Sequence, residues 1–314
     1  GKIEATTEVE PSLPNTGELP PLLPILDSYA NLSPERIRED LEQQYQNRLL
    51  GMRYFQIIDN VNLPAITDIS GNERHAPSFD QIWKQLSQNP EKLEKIKGLK
   101  KPTLILTPFG MPLKSLAERV ESKNGRLKKE GVELHQKPII CPWDENDNKE
   151  GLSFDIINHI AYFPKRFHPT KHGGKSKLEL LYHIGTPFPG WQVTIMEGEQ
   201  EIQVRNKSDD AFLQEWKGKK YCLVTPEETL MLHAEGIVAP FENQNGHYSF
   251  NSDCRELCLG AFLPGNKWID DQKTGAIPAC GFLGSQEEAA LSLGHKHIPL
   301  LNAFSGPRRG VRIF

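Results

Sequence analysis

His295, Lys296 and His297 put two imidazoles on one face of an extended segment. Such a pair suits zinc or copper, but no third ligand is placed by the sequence, and the histidines read as solvent-exposed loop residues. Cys280 with His295 or His297 could supply an activated thiol, whose reactivity would depend on a depressed thiol pKa. Five cysteines (Cys141, Cys222, Cys254, Cys258 and Cys280) are too few and odd in number for an oxidised framework, and read as mostly buried thiols. Cys254 and Cys258 lack a second Cys/His pair at zinc-site spacing and read as core. No Ser-His-Asp or Cys-His constellation follows from one chain without geometry.

Two charged stretches invite sharper readings. His168, His172 and His183, with Lys165, Arg166, Lys171, Lys175 and Lys177, could hold an anion, and Gly173 to Ser176 resembles the end of a phosphate loop. The leading glycine of that motif is Pro169 here, so a solvated charged loop is expected instead. Asp144, Glu145, Asp147 and Glu150 cluster beside Trp143 but lack the glycine and oxygen register of a calcium loop. Leu13 to Gly17 spells a sorting pentapeptide far from the C-terminal context it needs, and is read as chance. No metal and no cofactor is expected.

The elements that must position these residues follow from periodicity and caps. The chain has 314 residues, 37% hydrophobic and 25% charged, with 14 Phe, 7 Tyr and 5 Trp to anchor a core; this is a globular composition. With 25 Gly and 24 Pro it is loop-rich. A net charge of −4 argues against a nucleic-acid partner, and no apolar run is long enough to span a bilayer. With no basic-then-apolar leader, a cytoplasmic location is expected. Residues 1–32 read as a flexible Pro-rich arm. Ser33-Pro34 starts a helix with Ile37, Leu41, Tyr45 and Leu49 on one face, expected to close at Gly51. Ser78 and Gln81 form a capping box, and Asn89-Pro90 opens a further turn ending at Gly98. Residues 33–99 therefore read as a structural helical extension.

From residue 100 the pattern predicts a buried strand over Pro102 to Pro108 and a helix through Leu113, Leu116 and Val120. A charged loop over 121–136 follows, then strands at 138–141 and 160–164 and an amphipathic helix from Lys175 to His183. Gly190 to Glu197 alternates like a half-buried strand. Thr225-Pro226-Glu227-Glu228 is a full helix start, and Leu257 to Pro264 reads as one buried strand. Trp268 onward reads as irregular backbone carrying apolar residues, which must face a core or form a contact patch. Val311 to Phe314 closes the chain as a strand paired in a sheet.

The ending Ile277-Pro278-Ala279, Ala289-Ala290-Leu291 and Gly306-Pro307-Arg308-Arg309-Gly310-Val311-Arg312-Ile313 is similar to the close of C-type-lectin-fold proteins, a group that includes formylglycine-generating enzymes. It most resembles variable proteins of diversity-generating retroelements of the candidate-phylum bacterial or archaeal type. The upstream stations Pro102–Leu116, Tyr162 to Lys165, Gly190 to Val193, Thr225 to Glu228 and Leu259 to Phe262 fall in the same order. The resemblance covers residues 100–314 and leaves the N-terminal third aside.

It implies an α+β, C-type-lectin-like fold with antiparallel strands, flanking helices and a loop-rich C-terminal region, following the N-terminal helical extension. It implies a recognition protein rather than an enzyme, binding an unidentified macromolecule, expected to be a protein, through a diversified surface over about residues 278–312. In that family a reverse transcriptase copies a template repeat with errors at adenines. Residues reachable from adenine-substituted Asn codons mark the candidate variable positions: Cys280, Gly281, Phe282, Leu283, Ser285, His295, His297, Leu300, Leu301, Asn302 and Phe304. Gln286, Glu287, Glu288 and Lys296 are not reachable and read as scaffold. The alternatives are an enzyme of the formylglycine-generating superfamily, for which the needed second cysteine near the C-terminal strand is missing, or an assembly subunit with a fixed binding site.

Overall fold

The computed structural model describes residues 12–21, 23–123, 160–162, 174–182, 186–198, 224–234, 255–258, 261–262, 276–283, 290–297 and 309–314. Helix α1 (Pro34–Tyr54) starts as its cap dictates, the Ser33 hydroxyl accepting from the Arg36 N–H. Ile37, Leu41, Tyr45 and Leu49 are buried along one face. Gly51 does not end the helix. Met52 and Phe55 are fully buried one turn on, and that burial outweighs the roughly 1 kcal/mol a helical glycine costs. Strands β1 (Ala65–Thr67) and β2 (Glu73–His75) form an antiparallel hairpin. Helices α2 (Phe79–Ser87) and α3 (Pro90–Lys97) begin at the expected caps, with both halves of the Ser78/Gln81 box in place.

The central sheet contains β3 (Pro102–Thr107), β5 (Gln192–Glu197) and the C-terminal β10 (Gly310–Arg312) in the order β10-β5-β3, all antiparallel. The closing strand is thus paired as expected, at the sheet's edge. Helix α4 (Leu113–Lys123) follows β3. The turn before it meets the turn before β5 at Gly110 and Gly190. The Gly110 N–H donates to Gly190 O at 2.8 Å, and a Cβ on Gly110 would sit 2.9 Å from Gly190 Cα, so no larger residue fits. Strand β5 is not half-buried: Val193 to Glu197 are buried throughout, in the middle of the sheet between β3 and β10.

On the other edge of that sheet, α1 reaches β3 directly. Gln44 Oε1 accepts from the Leu104 N–H at 2.8 Å, Gln44 Nε2 donates to Pro102 O at 3.1 Å, and Arg48 Nε donates to Leu104 O at 2.9 Å. These side chains, one helical turn apart, occupy ladder positions that an open edge would leave to solvent. The segment before α1 is held as well: Asn47 Nδ2 donates to Pro21 O, the Lys101 N–H donates to Asp27 O, and Tyr29 is fully buried with its hydroxyl on Asp40. Buried residues from Tyr29 to Ile313 form one cluster, so the expected boundary at residue 99 falls within a shared core.

Strands β4 (Ala161–Tyr162) and β7 (Ala261–Phe262) pair antiparallel, and α5 (Lys177–Leu181) starts at a Ser176/Glu179 capping box. The expected helix from Lys175 is shorter, because Lys175 instead bridges to Tyr162. Helix α6 (Pro226–Ala234) is buried along its whole length. It lies against β3 on one side and against β8 (Ala276–Leu283) and β9 (Ala290–His297) on the other. Leu230, Met231, Leu232 and Ala234 give it apolar contact surface, while its buried Glu227, Glu228, Thr229 and His233 must be satisfied inside the protein.

Two expectations are corrected here. Leu257 to Pro264 is not one strand: β6 (Arg255–Leu257) and β7 belong to different sheets, separated at Cys258, whose carbonyl accepts from the Ala261 N–H. The C-terminal region is not irregular over 276–283 and 290–297: β8 and β9 are eight-residue strands in full antiparallel register, with β6 on the far side of β8. The charged loop expected over 121–136 begins later than expected, since α4 runs through Lys123; the rest of it and the strand expected at 138–141 lie outside the described residues. The architecture is α+β with antiparallel strands.

Candidate functional site

Six of the eleven candidate variable positions fall on the β8–β9 hairpin. Cys280, Gly281, Phe282 and Leu283 lie on β8, and His295 and His297 on β9. Ser285, Leu300, Leu301, Asn302 and Phe304 lie outside the described residues. The pairs Ala276↔His297, Pro278↔His295, Cys280↔Leu293 and Phe282↔Leu291 settle the faces, because residues directly opposite share a face and neighbours along a strand do not. Cys280, Phe282, His295 and His297 therefore belong to one face. Gly281 and Leu283 belong to the other. The two histidines do share a strand face, as read from their spacing. Among the described residues no group of three or more His, Cys, Asp or Glu is placed to hold a metal ion.

The structure also assembles a charged cluster that the sequence reading missed. Thr225 caps α6, its hydroxyl oxygen accepting from the Glu228 N–H at 3.2 Å, while Glu228 Oε1 accepts from the Thr225 N–H at 3.1 Å. Both glutamates then point into the protein and are fully buried. Glu228 accepts from the Thr194 hydroxyl of β5 and pairs with the Arg312 guanidinium of β10. Glu227 Oε1 accepts from Tyr162 at 2.5 Å and from Lys177 Nζ at 2.8 Å. Lys177 also donates to Met111 O at 2.6 Å and lies 4.9 Å from the Phe109 ring centroid. Glu227 Oε2 has no hydrogen-bond partner among the described residues.

Burial pulls the Lys177 ammonium pKa down, and the Glu227 carboxylate only partly restores it. Burial raises the Tyr162 pKa well above that of a free phenol, and the Glu227 charge and hydrogen bond push it further. Lys177 is thus not part of a solvated basic loop, as its surroundings in sequence suggested. It turns inward with Leu181, one helical turn on, while Leu178 is exposed. The network's carboxylates and its lysine are sealed from solvent, and their evident work is to fix α6 against β4, α5, β5 and β10. A signal for it was present: two acids at the head of a helix whose next residues are nearly all apolar have no wet face to occupy. Cys258 is a buried thiol on the same helix surface, with Sγ donating to Thr229 Oγ1 at 3.4 Å.

A cavity of about 480 Å³ opens among the end of α1, the β1–β2 hairpin and the start of α4, with Asp59, Leu63, Thr67, Glu73, His75 and Arg119 in its lining. Within its wall, Gln56 is a non-glycine residue at φ 56°, and its carbonyl accepts from Arg119 Nη1 at 2.6 Å. Asp68, at the head of the hairpin turn, is held by Arg74 at 2.7 Å and by the Ser70 and Asn72 N–H groups. Burial raises its pKa, but these bonds outweigh burial and hold the carboxyl below its usual range.

Compared with protein families, with curated proteins and with solved structures, the chain matches none. No helix among the described residues is long and apolar enough to cross a membrane.

Proposed function

We propose that the chain is a ligand-binding protein, not an enzyme. In this reading residues 100–314 form a C-type-lectin-like domain whose C-terminal surface is diversified by a retroelement and recognises a macromolecule, in the first instance a protein. The observation that carries the reading is the β8–β9 register. It gathers Cys280, Phe282, His295 and His297 on one face of a regular hairpin, the arrangement in which side chains can change while the backbone ladder is kept. The antiparallel scaffold and the paired closing strand agree with it. The charged network around α6 supplies the second requirement, a rigid support behind a variable surface.

Labelling of the native chain with diethyl pyrocarbonate tests the surface. The chain supplies its own standards: His75, with a side chain 54% exposed, and His233, which is buried. His295 and His297 should react at a rate near that of His75. Reaction as slow as that of His233 would place their face against α6 and end the reading.

One observation favours a second reading. Cys280 and His295 occupy diagonal positions on the same face, since Cys280 pairs with Leu293, and a thiol beside an imidazole could act as a nucleophile. Iodoacetamide separates the two. A Cys280 that reacts no faster than a model thiol near neutral pH removes the enzyme, and a much faster one supports it.

A further inference from the structure

The cavity beside β1 has a property that its lining alone does not convey. In the β1–β2 hairpin the Ala76 N–H donates to Pro64 O and the Asp68 N–H donates to Asn72 O. Bonded and non-bonded pairs alternate in an antiparallel ladder, so Ile66↔Arg74 is the bonded pair between them. Ala65↔His75 and Thr67↔Glu73 are the non-bonded ones. The N–H and C=O groups of Ala65 and Thr67 therefore point away from β2, and among the described residues they have no partner.

On that same outward side the Ile69 N–H donates to Gly110 O at 2.9 Å. The bond closes the seam at one end, and from there β1 and the start of α4 diverge around the cavity. Ala65 to Thr67 on the β1 side and Met111 and Ser115 on the α4 side belong to its lining. Two donors and two acceptors at strand spacing thus face an open slot. Arg119 in the lining donates to Gln56 O, which fixes the guanidinium in place but leaves its single positive charge. Asp68 is compensated by Arg74. Two further carboxylates outweigh Arg119: among the described residues the exposed Asp59 side chain has no partner, and Glu73 pairs only with His75, at 2.9 Å. Leu63, 63% exposed, offers an apolar contact at the rim.

We propose that this slot binds an extended peptide segment with a basic side chain, added as a strand to β1. The peptide's carbonyls accept from Ala65 and Thr67, and its N–H groups donate to their carbonyls. A Lys or Arg reaches Asp59 or Glu73, and an apolar side chain rests on Leu63. Main-chain pairing gives such sites their affinity and the flanking side chains their choice of sequence. The site is separate from the hairpin surface proposed above and stands or falls independently of it.

The probe is a fluorescein-labelled Val-Lys-Val-Lys-Val peptide, followed by polarisation with the full chain. Its Val-Glu-Val-Glu-Val counterpart and a version N-methylated at alternate amides serve as comparisons. Thr67→Pro deletes one outward N–H and leaves the bonds of Ile66 and Asp68 to β2 untouched, a substitution an edge strand tolerates. The expected results are saturable binding of the basic peptide and roughly tenfold weaker binding to Thr67→Pro. Asp59→Asn should weaken binding and flatten its salt dependence. A melting curve establishes that Thr67→Pro is folded, and if it is not, the N-methylated peptide makes the same test from the ligand's side. The proposal is overturned by no saturation at about 1 mM peptide, a concentration at which even weak specific contacts register. Equal binding of the acidic or the N-methylated peptide overturns it too.

Discussion

Glu227 and Lys177 carry more of the fold than their place in sequence suggests. A buried ion pair adds little net stability over apolar replacements, but removing one partner strands a charge. Glu227→Leu and Lys177→Met should therefore each cost about 3–5 kcal/mol in urea unfolding, and the variant carrying both should recover most of the loss. Simple additivity of the two single losses would show that the pair is not coupled. Tyrosine gives a second prediction. Burial raises the pKa values of Tyr29, Tyr45 and Tyr162, with Asp40 assisting at Tyr29 and Glu227 at Tyr162. A phenol whose folded pKa is raised contributes stability fully present below the unfolded value of about 10 and lost as pH climbs above it. Melting temperature should fall above about pH 10, and absorbance at the phenolate band should show a slow fraction that ionises only with unfolding. Prompt ionisation of every tyrosine would contradict the burial. At this scale the helix caps were legible, because Ser33, Ser78, Asn89 and Thr225 act through bonds to their own neighbours. Lys177 was not, because its partner lies fifty positions away on α6.

Among the elements, α1 occupies the outer edge of β3 with Gln44 and Arg48. A helix read from periodicity shows its apolar stripe, yet its polar residues look as if they belong to solvent, and nothing in Gln44 or Arg48 announces a strand edge. Replacing Gln44 by Leu leaves the Leu104 N–H and Pro102 carbonyl without these bonds and should cost about 1–3 kcal/mol. It should also raise the tendency to associate, because an uncovered edge invites another strand. Chemical denaturation and light scattering read the two effects; a neutral result in both would mean that the edge needs no cover. The β8–β9 hairpin was illegible for the opposite reason. Pro278, Gly281 and Gly294 interrupt what alternation there is, and Pro and Gly argue against a strand interior. Pro278 stands near the start of β8, one place beyond the last β6 pair, Leu257↔Ala279, and opposite His295 of β9.

Across the whole molecule, α6 between two sheets and α1 at the sheet's edge tie early and late sequence into one core. A chain beginning at residue 100 would expose the β3 edge and the apolar surface now covered by Ile37, Leu41 and Met52. It should be less stable and prone to aggregate on size-exclusion chromatography. A monodisperse, cooperatively folded 100–314 fragment would show that the N-terminal third only decorates a self-sufficient domain. The α+β class was readable from strand and helix spacing, whereas the joining of the two parts was not, since it runs through side-chain bonds between distant segments. The candidate surface was readable only as a set of positions; its common face needed the register. The central claim, that this face is diversified for binding, is tested most directly at the gene. Sequencing the DNA around it should reveal a reverse-transcriptase gene and a non-coding repeat nearly identical to the codons for about residues 278–312, with mismatches confined to adenines of the repeat and falling at codons such as those of Phe282, His295 and His297. Mismatches spread over all four bases, or the absence of any such repeat, would contradict it.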